Sequence, residues 1–163
     1  MLKKPCIFCV SGVKNSGKTS LITKLVPALK KNAYRIGVIK HDGHDFEIDV
    51  ENTDTHKYRQ AGSDAVVIYS QKKFALIRPW ETVKIELLLE FLQDVDLIII
   101  EGLKNSSYPK IETVIEQSVC DERYLLAIAT DGDFRHEKIK TVSRNDIDIL
   151  ADIIENEVMR KPK

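Results

Sequence analysis

The chain has 163 residues, 43% of them apolar and 31% charged, which is enough for one domain with a substantial core and too short for two ordinary ones. That composition excludes global disorder, and a single domain over residues 1–163 is expected. Lys plus Arg and Asp plus Glu balance at 25 each, so no surplus positive field is present to hold a nucleic-acid backbone, and nucleic acid is not an expected partner.

No apolar run approaches the roughly 20 residues of a membrane-spanning helix. The opening Met1-Leu2-Lys3-Lys4-Pro5 lacks the hydrophobic core and small-residue cleavage site of a secretory signal. A cytoplasmic protein without membrane contact is expected, with Cys6, Cys9 and Cys120 as free thiols.

Along the chain, Pro5 to Val10 is apolar almost throughout, the pattern of a strand covered on both faces. Thr19 to Lys31 reads as a helix with an apolar stripe of Leu21, Ile22, Leu25, Val26 and Leu29, kinked or split by Pro27. Tyr34 to Lys40 is a second strand. The polar, aperiodic stretch from His41 to Asp54 reads as a long loop, with Asp54 as the cap of a short helix ending near Ala61-Gly62. Asp64 to Ser70 and Lys73 to Arg78 form a hairpin, which places antiparallel strands beside parallel ones. Thr82 to Gln93 is a helix more apolar than one core-facing stripe requires, suited to an interface or to ordinary burial. Asp96 to Ile100, Ile111 to Ile115 and Leu125 to Thr130 are further strands, and Ile147 to Met159 is the closing helix. This alternation predicts an α/β fold with a mostly parallel central sheet plus an antiparallel hairpin, with ligands beyond the carboxyl ends of the strands.

Directly after the first strand, Gly12-Val13-Lys14-Asn15-Ser16-Gly17-Lys18-Thr19 satisfies G-x-x-x-x-G-K-[ST] in full and opens a helix. The three-layer fold of P-loop NTPases follows from that context. Glycines let the backbone approach phosphate oxygens, successive N–H groups form an anion nest, and the helix points its positive end at the same place. Gly12, Asn15, Ser16, Gly17, Lys18, Thr19 and Ser20 are the candidate phosphate-binding residues, with Lys18 reaching the β- and γ-phosphates and the Thr19 hydroxyl offered to Mg²⁺. Lys14 reads as a solvated lysine. Glu101, at the carboxyl end of its strand, is the candidate acid on the metal side; Asp96 sits at the opposite end and merely starts the strand. Thr130-Asp131-Gly132-Asp133 ends a late strand, and Thr130, Asp131 and Asp133 are candidates for reading a base, because a carboxylate can accept from both N1–H and the exocyclic amine of guanine. A simple strand-ending turn accounts for the same residues equally well.

The P-loop with Asn15-Ser16, Val38-Ile39-Lys40-His41-Asp42-Gly43-His44, Asp54-Thr55, Ala61-Gly62, and Glu101-Gly102-Leu103-Lys104 followed by Pro109-Lys110-Ile111 together resemble the molybdopterin-guanine dinucleotide biosynthesis protein B family over most of the chain. The resemblance implies a GTP-binding, Mg²⁺-dependent homodimer with at most weak GTP hydrolysis. It also implies an adaptor role towards the nucleotidyltransferase that attaches GMP to molybdopterin, and towards molybdoenzyme chaperones. On this analogy Lys40, His41, His44, Asp49, Asp54 and Thr55 form a loop near the phosphates or the cofactor partner. The family's pattern places a glycine two residues before the Asp-Thr pair; here it is Asn52, a residue that tolerates left-handed backbone.

Two rival readings share these residues. Cys6-x-x-Cys9 with His41-x-x-His44 has zinc-like spacing, but residues three apart on a strand point to opposite faces. A small P-loop kinase passing the γ-phosphoryl group of ATP to a metabolite is the alternative function; such enzymes cover the transferred group with arginines, and the seven here are scattered. The chain has no Asn-Lys-x-Asp string for guanine, so GTP over ATP rests on the resemblance alone.

Overall fold

The structure, a computed structural model, describes residues 4–43 and 46–160. The described chain divides into two units, one of residues up to 41 together with those from 88 onward, the other of residues 42–87.

The first unit is built on a parallel sheet. Its strands, numbered along the whole chain, are β1 (Cys6–Gly12), β2 (Ile36–Lys40), β5 (Leu97–Glu101), β6 (Lys110–Thr113), β7 (Leu125–Ala129) and β8 (Thr141–Val142). Their order is β2-β5-β1-β6-β7-β8, with every neighbouring pair parallel. β5 is buried at all five positions, which accounts for its unbroken Leu-Ile-Ile-Ile run: a strand covered on both faces has no solvent side on which to alternate. α1 (Lys18–Lys30) and α4 (Ile147–Ile154) supply one cover, packing Leu21, Leu25, Leu29, Leu150 and Ile154 onto Phe8, Val10, Leu97, Ile99 and Ile111. A smaller cluster of Val114, Leu125 and Ile128 is closed by Cys120, Phe134 and Ile139. Pro27 lies on the exposed side of α1, where its missing donor leaves the buried stripe intact.

β1 is flanked by β5 and β6: from β1 the chain passes through α1 to β2 on the β5 side, and from β5 it crosses to β6 on the other side of β1. That divergence opens a crevice at the carboxyl end of β1, where the P-loop begins.

The second unit holds α2 (Asp54–Gln60), β3 (Val66–Tyr69) and β4 (Phe74–Ile77). β3 and β4 pair antiparallel as a separate two-stranded sheet, the antiparallel hairpin expected in addition to the mostly parallel one. Thr53, not Asp54, caps α2: its extended backbone lets Oγ1 accept from the His56 N–H at 3.4 Å, while Asp54 is the first helical residue. The helix expected over 82–93 contracts to α3 (Ile85–Glu90), with no fully buried residue. Six residues are too few for a helix to persist on propensity alone, and the following residues turn instead. The closing helix changes character after Ile154 and continues as a π-helical turn over Glu155–Met159.

Candidate functional site

The loop between β1 and α1 is shaped by its glycines. Gly12 has φ 141°, and a Cβ there would lie 2.4 Å from the Thr113 carbonyl oxygen, so only glycine lets β1 and β6 close together at this point. Gly17 caps α1 in the left-handed region at φ 92°, without a side-chain hydrogen bond to the helix. The first turn of α1 carries no acidic residue, so its free N–H groups and its positive end face the loop without a competing carboxylate.

Lys18 Nζ folds back across the loop, donating to the carbonyls of Val13 at 2.6 Å and Gly12 at 3.3 Å. Asn15 holds a left-handed φ of 61° at the exposed tip. Ser16, a candidate phosphate contact by sequence, has its side chain committed elsewhere: fully buried, its hydroxyl lies 2.8 Å from the Val13 carbonyl and 2.6 Å from Thr113 Oγ1. Thr113 Oγ1 in turn lies 3.1 Å from the Ser11 carbonyl, so the loop is tied to both strands of the crevice. Ser20 is exposed at the start of α1.

Thr19 and Glu101, 82 residues apart, meet below the loop. The Thr19 hydroxyl donates to Glu101 Oε1 and Oε2 at 2.9 and 3.0 Å, and Glu101 is 8% exposed. With the proton directed at the carboxylate, the lone pairs of Thr19 Oγ1 remain available. A hydroxyl and a carboxylate are the hard oxygen donors that suit Mg²⁺. Asp96, at the amino end of β5, pairs with Arg35 instead.

The loop after Glu101 is held from several sides. Ser11 Oγ donates to the Gly102 carbonyl at 2.6 Å, and the His41 N–H donates to the Glu101 carbonyl at 3.0 Å, where β2 ends level with β5. Lys110, fully buried, sends Nζ to the Ser106 carbonyl and lies 5.1 Å over the Tyr124 ring. Pro109-Lys110-Ile111 is part of the family resemblance, which gave Lys110 no role of its own.

Thr130, Asp131 and Gly132, but not Asp133, border a cavity of about 390 Å³, lined also by Arg135, Thr141, Val142, Ser143 and Asn145. Thr130 Oγ1 accepts from the Gly132 N–H at 3.1 Å, and Asp133 is exposed. Asp131 is engaged by Ser143 and by Arg144, which also reaches the Ser16 carbonyl at 2.9 Å. Arg144 lies 128 residues from Ser16, and no motif marks it.

Lys40 and His41 end β2 in the P-loop's unit, whereas Asp49, Asp54 and Thr55 belong to the second unit; His44 lies outside the described residues. Within the second unit, Asp49 Oδ1 accepts from Thr55 Oγ1 at 2.8 Å and from Thr53 Oγ1 at 3.2 Å, and Oδ2 lies 3.7 Å from Arg59. The Thr55 hydroxyl, seconded by Thr53 and the Arg59 charge, holds this carboxyl below its ordinary range against the opposing effect of burial. Asp54 pairs with Lys57 at 3.6 Å on the surface. Asn52 adopts the left-handed φ of 68° that its place in the turn requires.

Cys6 belongs to the core under α1 and α4, while Cys9 lies 3.8 Å from Ser106 Oγ. The two thiols therefore serve opposite faces of β1.

A glycine-shaped loop from the first strand to a helix, a lysine across it, and a Thr-Glu pair beneath it on a parallel sheet define a P-loop NTPase-like α/β protein. The model of the family described as molybdopterin guanine dinucleotide synthesis protein B matches residues 7–131. The chain belongs to that family. It is 33% identical over 158 residues to a molybdopterin-guanine dinucleotide biosynthesis adapter protein of Haemophilus influenzae, covering 90% of this chain and 86% of the relative. It is 31% identical to the protein of that description in Escherichia coli, covering 85% of each. Among solved structures, Bacillus subtilis MobB superposes with a TM-score of 0.76 at 22% identity over 96% of this chain and 99% of that one. A molybdopterin-guanine biosynthesis protein B gives 0.72 at 28% identity over 93% and 99%.

Proposed function

We propose that this protein is an adaptor of molybdenum-cofactor biosynthesis that holds GTP with Mg²⁺ and assists a nucleotidyltransferase in attaching GMP to molybdopterin. The observation that carries the reading is the Thr19–Glu101 pair beneath the P-loop, in a chain whose relatives are adapter proteins of that biosynthesis. Gly12, Asn15, Gly17, Lys18, Thr19 and Ser20 cradle the triphosphate through backbone N–H groups and the Lys18 ammonium. Ser16 contributes its backbone, since its hydroxyl is bonded to Thr113. Thr19 and Glu101 hold the metal, which neutralises phosphate charge when bound. The cavity beside Thr130 and Asp131 takes the base.

Among the described residues no general base stands out beside the P-loop, and slow hydrolysis at most is part of this reading. Molybdoenzyme chaperones are further partners on the same analogy. Lys40 and His41 belong to a segment offered to the phosphates, and Asp49, Asp54 and Thr55 to one offered to a protein partner. The names of the relatives favour the adaptor over a metabolite kinase.

The experiment is reconstitution: purified nucleotidyltransferase, molybdopterin, GTP and Mg²⁺, with and without this protein. Dinucleotide yield is expected to rise on addition of the wild type and not of Glu101→Ala. Equal yields in all three mixtures would contradict the adaptor role.

A further inference from the structure

Both carboxylate oxygens of Asp131 are already engaged. A carboxylate offers about four lone-pair positions. Here Oδ1 accepts from Ser143 Oγ at 3.2 Å and from the Arg144 N–H at 3.0 Å, and Oδ2 faces Arg144 Nε at 3.0 Å and Nη2 at 2.9 Å. The remaining arm of the same guanidinium, Nη1, donates to the Ser16 carbonyl at 2.9 Å. Arg144 also fills the space over Gly17: a Cβ on that residue would lie 2.3 Å from Nη1. Next to it, Asn145 Oδ1 accepts from Lys24 Nζ of α1 at 2.8 Å. The segment 143–145 is thus clamped to the wall of the cavity on one side and to the P-loop and α1 on the other.

Ser16 C=O and Gly17 N–H belong to one planar trans peptide and point in opposite directions. Whatever holds the carbonyl also aims the N–H. Arg144 holds the carbonyl, and its own orientation is fixed by Asp131 Oδ2, which faces both Nε and Nη2 of the guanidinium.

We propose that Arg144 is a positioning residue of the phosphate site, fixing the Ser16–Gly17 peptide so that the Gly17 N–H is aimed at the triphosphate, and that Asp131 serves the phosphates through Arg144 and does not read the base. This rests on the P-loop being the phosphate site. Ordering a donor before the ligand arrives removes an entropic cost from binding, so the effect falls on the polyphosphate and not on base preference. The other polar side chains lining the cavity are those of Thr130, Arg135, Thr141, Ser143 and Asn145.

The test is calorimetric titration of wild type, Arg144→Ala, Asp131→Asn and the double variant with Mg²⁺ and tripolyphosphate, GTP or ATP, each variant first checked for a cooperative melt. Arg144→Ala and Asp131→Asn are both expected to weaken tripolyphosphate and GTP by about tenfold, the scale of a lost charge-assisted hydrogen bond. The ratio of GTP to ATP affinity should be unchanged, and the double variant no weaker than the weaker single one, because both act through one contact. A general loss of structure would show in the melt, because a smaller folded fraction weakens GTP and ATP by the same factor. Should Arg144→Ala not fold, Asp131→Asn alone decides. Collapse of the GTP-to-ATP ratio with intact tripolyphosphate binding in Asp131→Asn makes Asp131 a base reader and overturns the proposal, as does unchanged tripolyphosphate binding in both single variants. A wild type that binds neither tripolyphosphate nor nucleotide overturns the phosphate site itself, and this inference with it.

Discussion

Cys120 shows how a side chain that takes no part in the phosphate site still carries a measurable signature. Burial, reinforced by the Glu112 carboxylate beside it, pushes the thiol up to about 12. In the unfolded chain the thiol titrates near 9, so below that value both states hold the proton and the contribution to stability is constant. Above it the unfolded state releases the proton first, and stability is lost progressively between about pH 9 and about 12. Replacing Cys120 by Ala is therefore expected to flatten the fall in urea stability between pH 9 and 10.5, and wild-type Cys120 should resist alkylation at neutral pH. An unchanged pH slope in the variant would contradict this. Glu112 itself is fully buried and takes the Val119 N–H at 2.7 Å, so its charge is held in place against the thiol. The P-loop residues were legible in sequence because eight contiguous positions carry the chemistry. Arg144 was not, because its partners Asp131 and Ser16 are distant in the chain and an isolated arginine in a polar turn has no pattern.

At the scale of elements, the strands covered on both faces were the readable ones. β1 and β5 announce themselves by unbroken apolar runs, since burial on two sides removes the alternation that otherwise marks a sheet. α1 was readable from its stripe, displaced by one residue at each end. The hairpin was readable as a hairpin but not as a separate sheet, because pairing with distant strands leaves no local trace. Neither was the retreat of α3, whose apolar residues satisfy a helical period whether or not the helix persists. The β3–β4 ribbon exposes neighbouring residues that point to opposite faces: Val67 is 58% and Ile68 55% exposed, with Tyr69 at 82% and Phe74 at 67%. A two-stranded ribbon exposed in this way is marginal in water and invites a partner. We propose that it is a homodimer contact. The wild type is expected to sediment as a dimer, and Tyr69→Glu with Phe74→Glu as a monomer; an identical sedimentation coefficient for both proteins would exclude this ribbon from any interface.

For the molecule as a whole, the sheet gathers three distant segments at the carboxyl ends of its strands. β1 delivers the P-loop, β5 delivers Glu101 under Thr19, and the turn after β7 delivers Asp131 to Arg144. None of the three is a site by itself. The carboxyl ends of parallel strands collect them because each crossover returns the chain to the same side. Buried Lys110 adds rigidity to the segment that follows Glu101, through the Ser106 carbonyl. Among the described residues no helix is long and apolar enough to cross a membrane, and the formal charge of zero leaves the anion nest as a local feature against a neutral background. Affinity for a nucleotide should consequently depend on the triphosphate and the metal more than on long-range attraction. The most direct test is calorimetric titration of wild type and Lys18→Ala with GTP, with and without Mg²⁺. The wild type is expected to bind GTP more tightly with Mg²⁺, and Lys18→Ala to lose at least about tenfold in affinity; equal GTP affinity in the two proteins would contradict the phosphate site on which the account stands.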